Sequence, residues 1–264
     1  MKFLIQHNLI NPENLLEIKD AIKDYPHEFV GVLPFSHEIM SDEPLVGQDF
    51  IPYGSTSMTE AGLELGWKGL SFDLSRANYE AFVANRDDML NTAPMRLDEA
   101  VTFLEGRNQG ELWFTRPSKD LKEYTGLVDT AGELVEWFRD RILCASSGSY
   151  QLRPDTMVVL SVPKTIDAEY RWFIVGGKVI TGSMYRNCGQ LYSELQTDPA
   201  VIAEAQSFVD GKWLPSPCVV MDLALTDFGV KVIEWNCINS SGFYACDVKA
   251  IFKALWEYHT TAAK

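Results

Sequence analysis

The sequence predicts an α+β protein, and three observations carry the prediction. A strand-like apolar opening leads into an amphipathic helix and a second strand-like run. Two hairpin patterns, AEYRWFIVGGKVITGSMYR and CVVMDLALTDFGVKVIEWN, stand in the C-terminal half with a helix between them. Helical stretches elsewhere begin at recognisable caps: Asn11, Ser75, Thr130, Asp198 and Asp247.

A chain of 264 residues can bury a large core in one or two domains. Its 46% hydrophobic content places it among globular rather than disordered proteins. No apolar run reaches the roughly 18 residues that a membrane span needs. The opening MKFLIQHNLI is short and has no small-residue cleavage site after it, so it reads as a first strand, and a cytoplasmic protein without a membrane partner is expected. Lys and Arg total 23 against 37 Asp and Glu, a formal charge of −14. That argues against nonspecific nucleic-acid binding, which depends on neutralising phosphates, while leaving room for a local basic site for a small anion. The five cysteines are odd in number and lack CxxC spacing, so reduced thiols are expected rather than a zinc site or a disulfide framework. The four histidines are scattered without ligand spacing.

Taken in order, residues 2 to 6 predict a strand. A helix follows with Asn11 as cap, Pro12 at its first position and Leu15, Leu16, Ile18 and Ile22 as its apolar stripe. Residues 28 to 33 predict a second strand. Helical pattern returns over 76 to 90 and 97 to 105, and the character of the chain changes near residue 95, where a domain boundary is placed. ELWFTRP predicts a strand ended by Pro117. A polar loop with Gly126 leads to a helix whose capping box is Thr130 with Glu133. The helix PAVIAEAQSFVD separates the two hairpins, with Asp198 before it and Gly211 at its end. Asp247 caps a last helix reaching about Tyr258.

The hairpins concentrate the polar residues that need explaining. In the second, Asp-Phe-Gly suits a three-residue loop whose Gly takes the left-handed conformation, and that register sets Asp222 opposite Glu234. Opposed carboxylates repel, and a metal ion reverses the sign. With Asn236 two residues beyond Glu234, the set is two carboxylates and an amide oxygen, suited to Mg²⁺ and substrate phosphates. The plainer reading is a solvated sheet face on which the two acids avoid each other, and a one-residue register change also separates them. In the first hairpin Gly176-Gly177 makes a two-residue turn, so Val175 pairs with Lys178 and Arg171 faces Gly182. Glu169, Arg171 and Arg186 then share a face, with Arg186 roughly 13 Å past Arg171's partner at strand rise. Two arginines so placed favour an anion, although either alone reads equally well as a surface charge. FTRPSKDLKEYTG adds Arg116 and Lys122 as phosphate candidates, with Lys119 read as solvated. Neither a P-loop nor a dinucleotide-binding glycine motif occurs in the chain.

Together FTRPSKDLKEYTG, EYRWFIVGGKVITGSMYR and VVMDLALTDFGVKVIEWNCINSSGFY resemble the ATP-grasp superfamily, over roughly residues 50 to 246. They resemble especially a bacterial and phage clade with Arg-Pro where most members have Lys-Pro at a strand end. The resemblance implies an ATP-grasp fold: two α+β lobes, about 96–160 and 161–264, gripping ATP behind a small α/β pre-grasp domain, 1–95. It implies ATP and Mg²⁺ as cofactors, and a ligase that phosphorylates a small-molecule or peptide carboxylate and passes the acyl group to an amine. Carried over by position, Asp222, Glu234 and Asn236 would hold Mg²⁺, and Arg116 and Lys122 would contact phosphates. Glu169 would join the nucleotide-binding set, and backbone around Ser161, Val162 and Pro163 in VVLSVPKTI would meet adenine. Arg171 and Arg186 would stabilise the γ-phosphate and the acyl intermediate. Two rivals stand beside this reading. One is a kinase-like phosphotransferase that stops at a phosphoester; the other is a nonenzymatic nucleotide-binding or phage–host interaction module.

Overall fold

The opening KFLIQ is the inner strand of a small, mostly parallel sheet. The computed structural model describes every residue except 9, 34–35, 42–44, 47–48, 72, 74, 120–123, 146–151 and 262–264. The chain begins with β1 (Lys2–Gln6), α1 (Pro12–Ile22), β2 (His27–Val32), β3 (Ile39–Met40), β4 (Phe50–Tyr53) and α2 (Thr56–Leu65). It continues with α3 (Tyr79–Asn85), β5 (Met95–Arg96), α4 (Leu97–Glu105), β6 (Leu112–Pro117), β7 (Leu127–Thr130), α5 (Ala131–Ala145) and β8 (Met157–Ser161). The last part holds β9 (Ala168–Val175), β10 (Lys178–Asn187), β11 (Gln190–Leu195), α6 (Pro199–Ser207), β12 (Cys218–Thr226), β13 (Gly229–Asn236) and α7 (Val248–Thr261). The strands form three sheets, ordered β3-β2-β1-β4, β11-β10-β9-β12-β13 and β5-β8-β6-β7. The α+β expectation holds. No helix among the described residues is long and apolar enough to cross a membrane.

Two compact units emerge. The first comprises Met1–Asp73, Asp167–Leu223 and Trp235–Lys264. Its core includes Phe3, Ile18, Ile51, Phe173, Val220, Phe243 and Phe252. The second comprises Leu74–Ile166 and Ala224–Glu234, the turn end of the last hairpin. Its core is built around Leu97, Leu104, Leu134, Phe138, Val158 and Leu160.

Local caps behave as their chemistry predicts. Asn11 Oδ1 accepts from the Glu13 amide at 2.8 Å, and Asp198 and Asp247 accept from Ala200 and Ala250. Thr130 Oγ1 accepts from the Glu133 amide as a cap should. Glu133 Oε2, however, accepts from the Thr130 hydroxyl while the Thr130 amide donates to Asp129 Oδ1, so only half of the expected capping box forms. The helix expected over 76 to 90 is shorter and capped by Asn78, whose side chain accepts from the Ala81 amide. It ends at Asn85 because Arg86 turns extended and ties its guanidinium to Asp88 at 2.9 and 2.6 Å in a buried pair. Asp88 and Leu90 then exchange backbone bonds with Val232.

The first hairpin turns at Gly176-Gly177, both with positive φ, and pairs Val175 with Lys178 as expected. Two register shifts follow, one between Val179 and Thr181 and one between Met184 and Arg186. They move Arg171 from its expected partner Gly182 to Ser183, and set Arg186 opposite Glu169. The 13 Å separation expected from an unbroken ladder therefore does not apply. Gly182 lies opposite Trp172 instead, and a Cβ there would meet the indole at 2.1 Å, so no larger residue fits.

Candidate functional site

In the first unit the sheet brings Arg171 of β9 to Asp222 of β12. Arg171 Nε donates to Asp222 Oδ1 at 2.9 Å and Nη2 to Oδ2 at 2.7 Å, the bidentate arrangement that a planar guanidinium favours. Asn236 Nδ2 donates to the same Oδ2 at 3.1 Å. Asp222 is 1% exposed, so its charge needs such partners to stay in the interior. Burial works against the Arg171 charge, but the Asp222 carboxylate outweighs it and holds the guanidinium firmly protonated. Arg171 Nη1 also donates to the Gly242 carbonyl at 3.2 Å.

Two tyrosines cover this pair. The Arg171 guanidinium lies 5.0 Å from the Tyr244 ring centre and 5.7 Å from that of Tyr185, and the two rings stack 4.8 Å apart. Tyr244 is half exposed and holds φ at 52°, a left-handed conformation that costs a non-glycine residue energy and that its ring contacts help to offset. Tyr185 donates to Glu169 Oε2 at 2.7 Å. Burial, followed by the charges of Asp222 and Glu169, pushes its phenol far above the usual range, so it stays a donor. Arg186 Nε lies 3.3 Å from Glu169 Oε1, close enough to pair in charge but not aligned as a hydrogen bond. Glu169, Arg171 and Arg186 thus share a face as expected, but it is the register shifts in β10 that bring Arg186 beside Glu169.

The second unit repeats the arrangement with different residues. Arg116 near the end of β6 donates through Nη2 to Glu234 Oε2 of β13 at 2.5 Å. Its guanidinium lies 5.2 Å from the ring centre of Tyr79, a buried residue whose hydroxyl donates to the Ile233 carbonyl. Both charged side chains are mostly buried, at 15% and 19% exposure. They line a cavity of about 210 Å³ with Phe114, Pro117, Lys119, Tyr124, Thr125 and Gly126. Lys119, read from sequence as solvated, belongs to this lining. Lys122 lies outside the described residues.

The segment expected to meet adenine is the end of β8. Ser161 Oγ donates to Asn91 Oδ1 at 3.0 Å. Lys164 Nζ reaches the same Asn91 oxygen, Ser161 Oγ and the Val162 carbonyl within 3.1 to 3.3 Å. Burial lowers the Lys164 ammonium's pKa from the usual lysine range. Asn91 and Lys164 were absent from the sequence reading. A lone amide between Leu90 and Thr92, and a Lys after a proline, carry no pattern that singles them out.

The residues named from sequence therefore fall into sets the structure does bring together: Asp222 with Asn236 and Arg171, Arg186 with Glu169, and Arg116 with Glu234. What spacing could not give is that Asp222 and Glu234 each already carry an arginine, and that Arg171 and Arg116 each lie against tyrosine. Asp222, Glu234 and Asn236 offer only oxygen ligands, without sulfur or imidazole, and that donor chemistry fits a hard ion such as Mg²⁺.

A family model described as ATP-grasp domain, R2K clade family 3, matches residues 65–255. None of the curated proteins is similar enough to this chain to count as a match. Solved structures share the fold at low identity. One is a D-cycloserine synthetase, DcsG, 12% identical with a TM-score of 0.61, covering 97% of this chain and 100% of that one. A second is the macrocyclase MdnC bound with precursor peptide MdnA from Microcystis aeruginosa MRC, 15% identical with a TM-score of 0.57, covering 97% and 100%. A third is the D-alanyl-alanine synthetase A from Vibrio cholerae O1 biovar eltor str. N16961, 10% identical with a TM-score of 0.55, covering 99% and 98%.

Proposed function

From the premise that this chain belongs to the ATP-grasp domain family, R2K clade family 3, we propose that it is an ATP- and Mg²⁺-dependent carboxylate–amine ligase. The observation that carries this reading is the doubled arginine–carboxylate arrangement, Arg171 with Asp222 and Arg116 with Glu234, inside the matched residues. Two fold neighbours, a macrocyclase bound with its precursor peptide and a D-alanyl-alanine synthetase, agree by name with a peptide or amino-acid carboxylate as substrate.

In this reading the carboxylate oxygen of the acid attacks the γ-phosphorus, ADP leaves, and an acylphosphate results. The amine nitrogen then attacks the acyl carbon, phosphate leaves, and an amide remains. Asp222, Glu234 and Asn236 would hold Mg²⁺, which draws charge from the phosphate oxygens when bound. Arg116 and Lys122 would bind the phosphates, with Lys119 beside Arg116 in the same cavity lining. Glu169 would add to nucleotide binding. Backbone from Ser161 to Pro163 would seat the adenine, steadied by Lys164 on the Val162 carbonyl. Arg171 and Arg186 would neutralise charge as it passes from the γ-phosphate to the acid. Transfer of this kind needs positioning and charge neutralisation more than a protein nucleophile, and these residue types supply both. The acid and amine would be small molecules or peptides met in the cytoplasm.

The reaction class is tested by interception. Hydroxylamine supplied with ATP, Mg²⁺ and a panel of amino acids and peptides should yield a hydroxamate from the right acid. The Arg186→Ala protein should lose most of that product while still binding ATP, because its contact strengthens as the new bond forms. A stable phosphoester on a hydroxyl substrate, with no hydroxamate from any acid, would move the protein to the kinases. The phosphate assignment has its own check. Arg116→Ala should weaken ATP binding by about 1.5 to 3 kcal/mol, the usual worth of a hydrogen bond to a charged group. Unchanged affinity by calorimetry would leave Arg116 as a partner of Glu234 and nothing more.

A further inference from the structure

The outer strand of the largest sheet is unlike a protected sheet edge. β11 ends the sheet, with β10 as its neighbour, and every residue from Gln190 to Leu195 is exposed. Leu191 is 80% exposed, and Tyr192 and Leu195 are each about two-fifths exposed. Edge strands are ordinarily blunted by lysine, proline or brevity. QLYSEL has neither residue and runs for six positions, with one break of register against β10, between Met184 and Arg186. Its outer side presents a row of backbone donors and acceptors, with one long bond of 3.4 Å from the Gln196 side chain to the Glu194 carbonyl. Side chains alternate: Leu191, Ser193 and Leu195 share one face, and Gln190, Tyr192 and Glu194 the other.

Charge says what such an edge would accept. Residues 188–210 contain Glu194, Asp198, Glu204 and Asp210 and no Lys or Arg. The Tyr170 phenol on β9 is raised by burial and then by both Glu194 and Glu204, so the two glutamates share one neighbourhood. A second copy of this chain would bring the same acidic edge and another net charge of −14, which disfavours self-pairing. We propose that the outer edge of β11 is a strand-addition site for an extended cationic peptide segment. Its backbone would complete the ladder, with apolar side chains over Leu191 and Leu195 and Lys or Arg over Tyr192 and Glu194. This inference stands apart from the ligase reading, since none of these residues is assigned to nucleotide or metal.

The test uses the full chain and a fluorescein-labelled octapeptide of alternating Lys and Val. Polarisation should show saturable binding at low salt, about tenfold or more tighter than for the Glu-Val counterpart. N-methylation of alternate amides along one edge of the peptide should abolish binding, while methylation along the other edge changes it by no more than about twofold, because strand addition uses one edge only. The Leu191→Lys/Leu195→Lys double variant should weaken binding by about tenfold or more with an unchanged far-ultraviolet spectrum. The proposal is overturned by absence of binding, by equal binding of the Glu-Val peptide, or by equal sensitivity to both methylation patterns. A concentration-dependent dimer of the chain that the double variant abolishes would also overturn it, since a second copy would then hold the edge.

Discussion

Asp222→Ala should lower the stability of the unit that holds it by about 3 to 5 kcal/mol, the cost of leaving one partner of a buried ion pair without the other. Asp222 is 1% exposed, and its two oxygens accept from Arg171 Nε and Nη2, with Asn236 on the same oxygen as Nη2. Removal leaves the guanidinium beside two tyrosine rings and the Gly242 carbonyl, none of which carries a neutralising charge. Arg171→Met alone should be destabilising as well, since the buried Asp222 then loses the guanidinium that neutralises it. The double variant Asp222→Leu/Arg171→Met should recover much of the loss, because the penalty belongs to the unpaired charge rather than to absent attraction. Denaturant unfolding followed by intrinsic tryptophan fluorescence, to which buried Trp172 contributes, reads all of these. Strictly additive effects, with the double variant as poor as the two losses summed, would show that Arg171 and Asp222 do not stabilise each other. Activity should be absent from every member of the set, so stability is the informative readout.

The features that were legible in the sequence are those decided within a few residues. Asn11 before Pro12, Thr130 with Glu133, and Asp247 before the last helix are local arrangements of donor and acceptor, and the chain folds around them as read. The Gly176-Gly177 turn is equally local. β4 was not legible. FIPY carries Pro52, which argues against a strand, yet β4 is the edge of its sheet, where a missing backbone donor is tolerated. β11 escaped for another reason. It has no buried face to impose an alternating pattern, and it is turned back onto β10 through Cys188-Gly189, both with positive φ, where asparagine would be the usual signal at the first position.

The candidate site divides the same way. Residue types at the strand positions pointed to Asp222, Glu234, Asn236, Arg116, Arg171 and Arg186 without any knowledge of their partners. Which arginine meets which carboxylate depends on strand order and on two register shifts in β10, and neither is written in local spacing. Tyr79, Tyr185 and Tyr244 were silent for the same reason. An aromatic residue in an apolar run announces burial, not the cation it will lie against.

Glu234→Gln should remove Mg²⁺-dependent turnover while the protein stays folded, a loss of about 10² to 10³ in kcat for weakening the hold on the ion that would neutralise the phosphates. The substitution keeps the size of the side chain and an oxygen facing Arg116, and takes away only the charge. Its effect on stability separates two accounts of this residue. If Glu234 mainly repelled Asp222 across the hairpin, glutamine would be neutral or slightly stabilising. The structure reverses that sign, because Glu234 Oε2 accepts from Arg116 Nη2 at 2.5 Å and both side chains are mostly buried. Glutamine should therefore cost about 1 to 2 kcal/mol, between the values for exposed and fully buried pairs. The metal assignment needs a readout that does not require the acid substrate. Calorimetry with a non-hydrolysable ATP analogue should show tighter binding with Mg²⁺ than with chelator for the unsubstituted protein. In Glu234→Gln that difference should shrink by about tenfold or more, since a ligand is lost and the ion's charge is no longer matched. Arg116→Ala should weaken the analogue under both conditions instead, because in its proposed role it meets phosphate directly. An unchanged Mg²⁺ dependence in Glu234→Gln would strip the residue of its metal role and leave it as the anchor that holds Arg116 in the cavity.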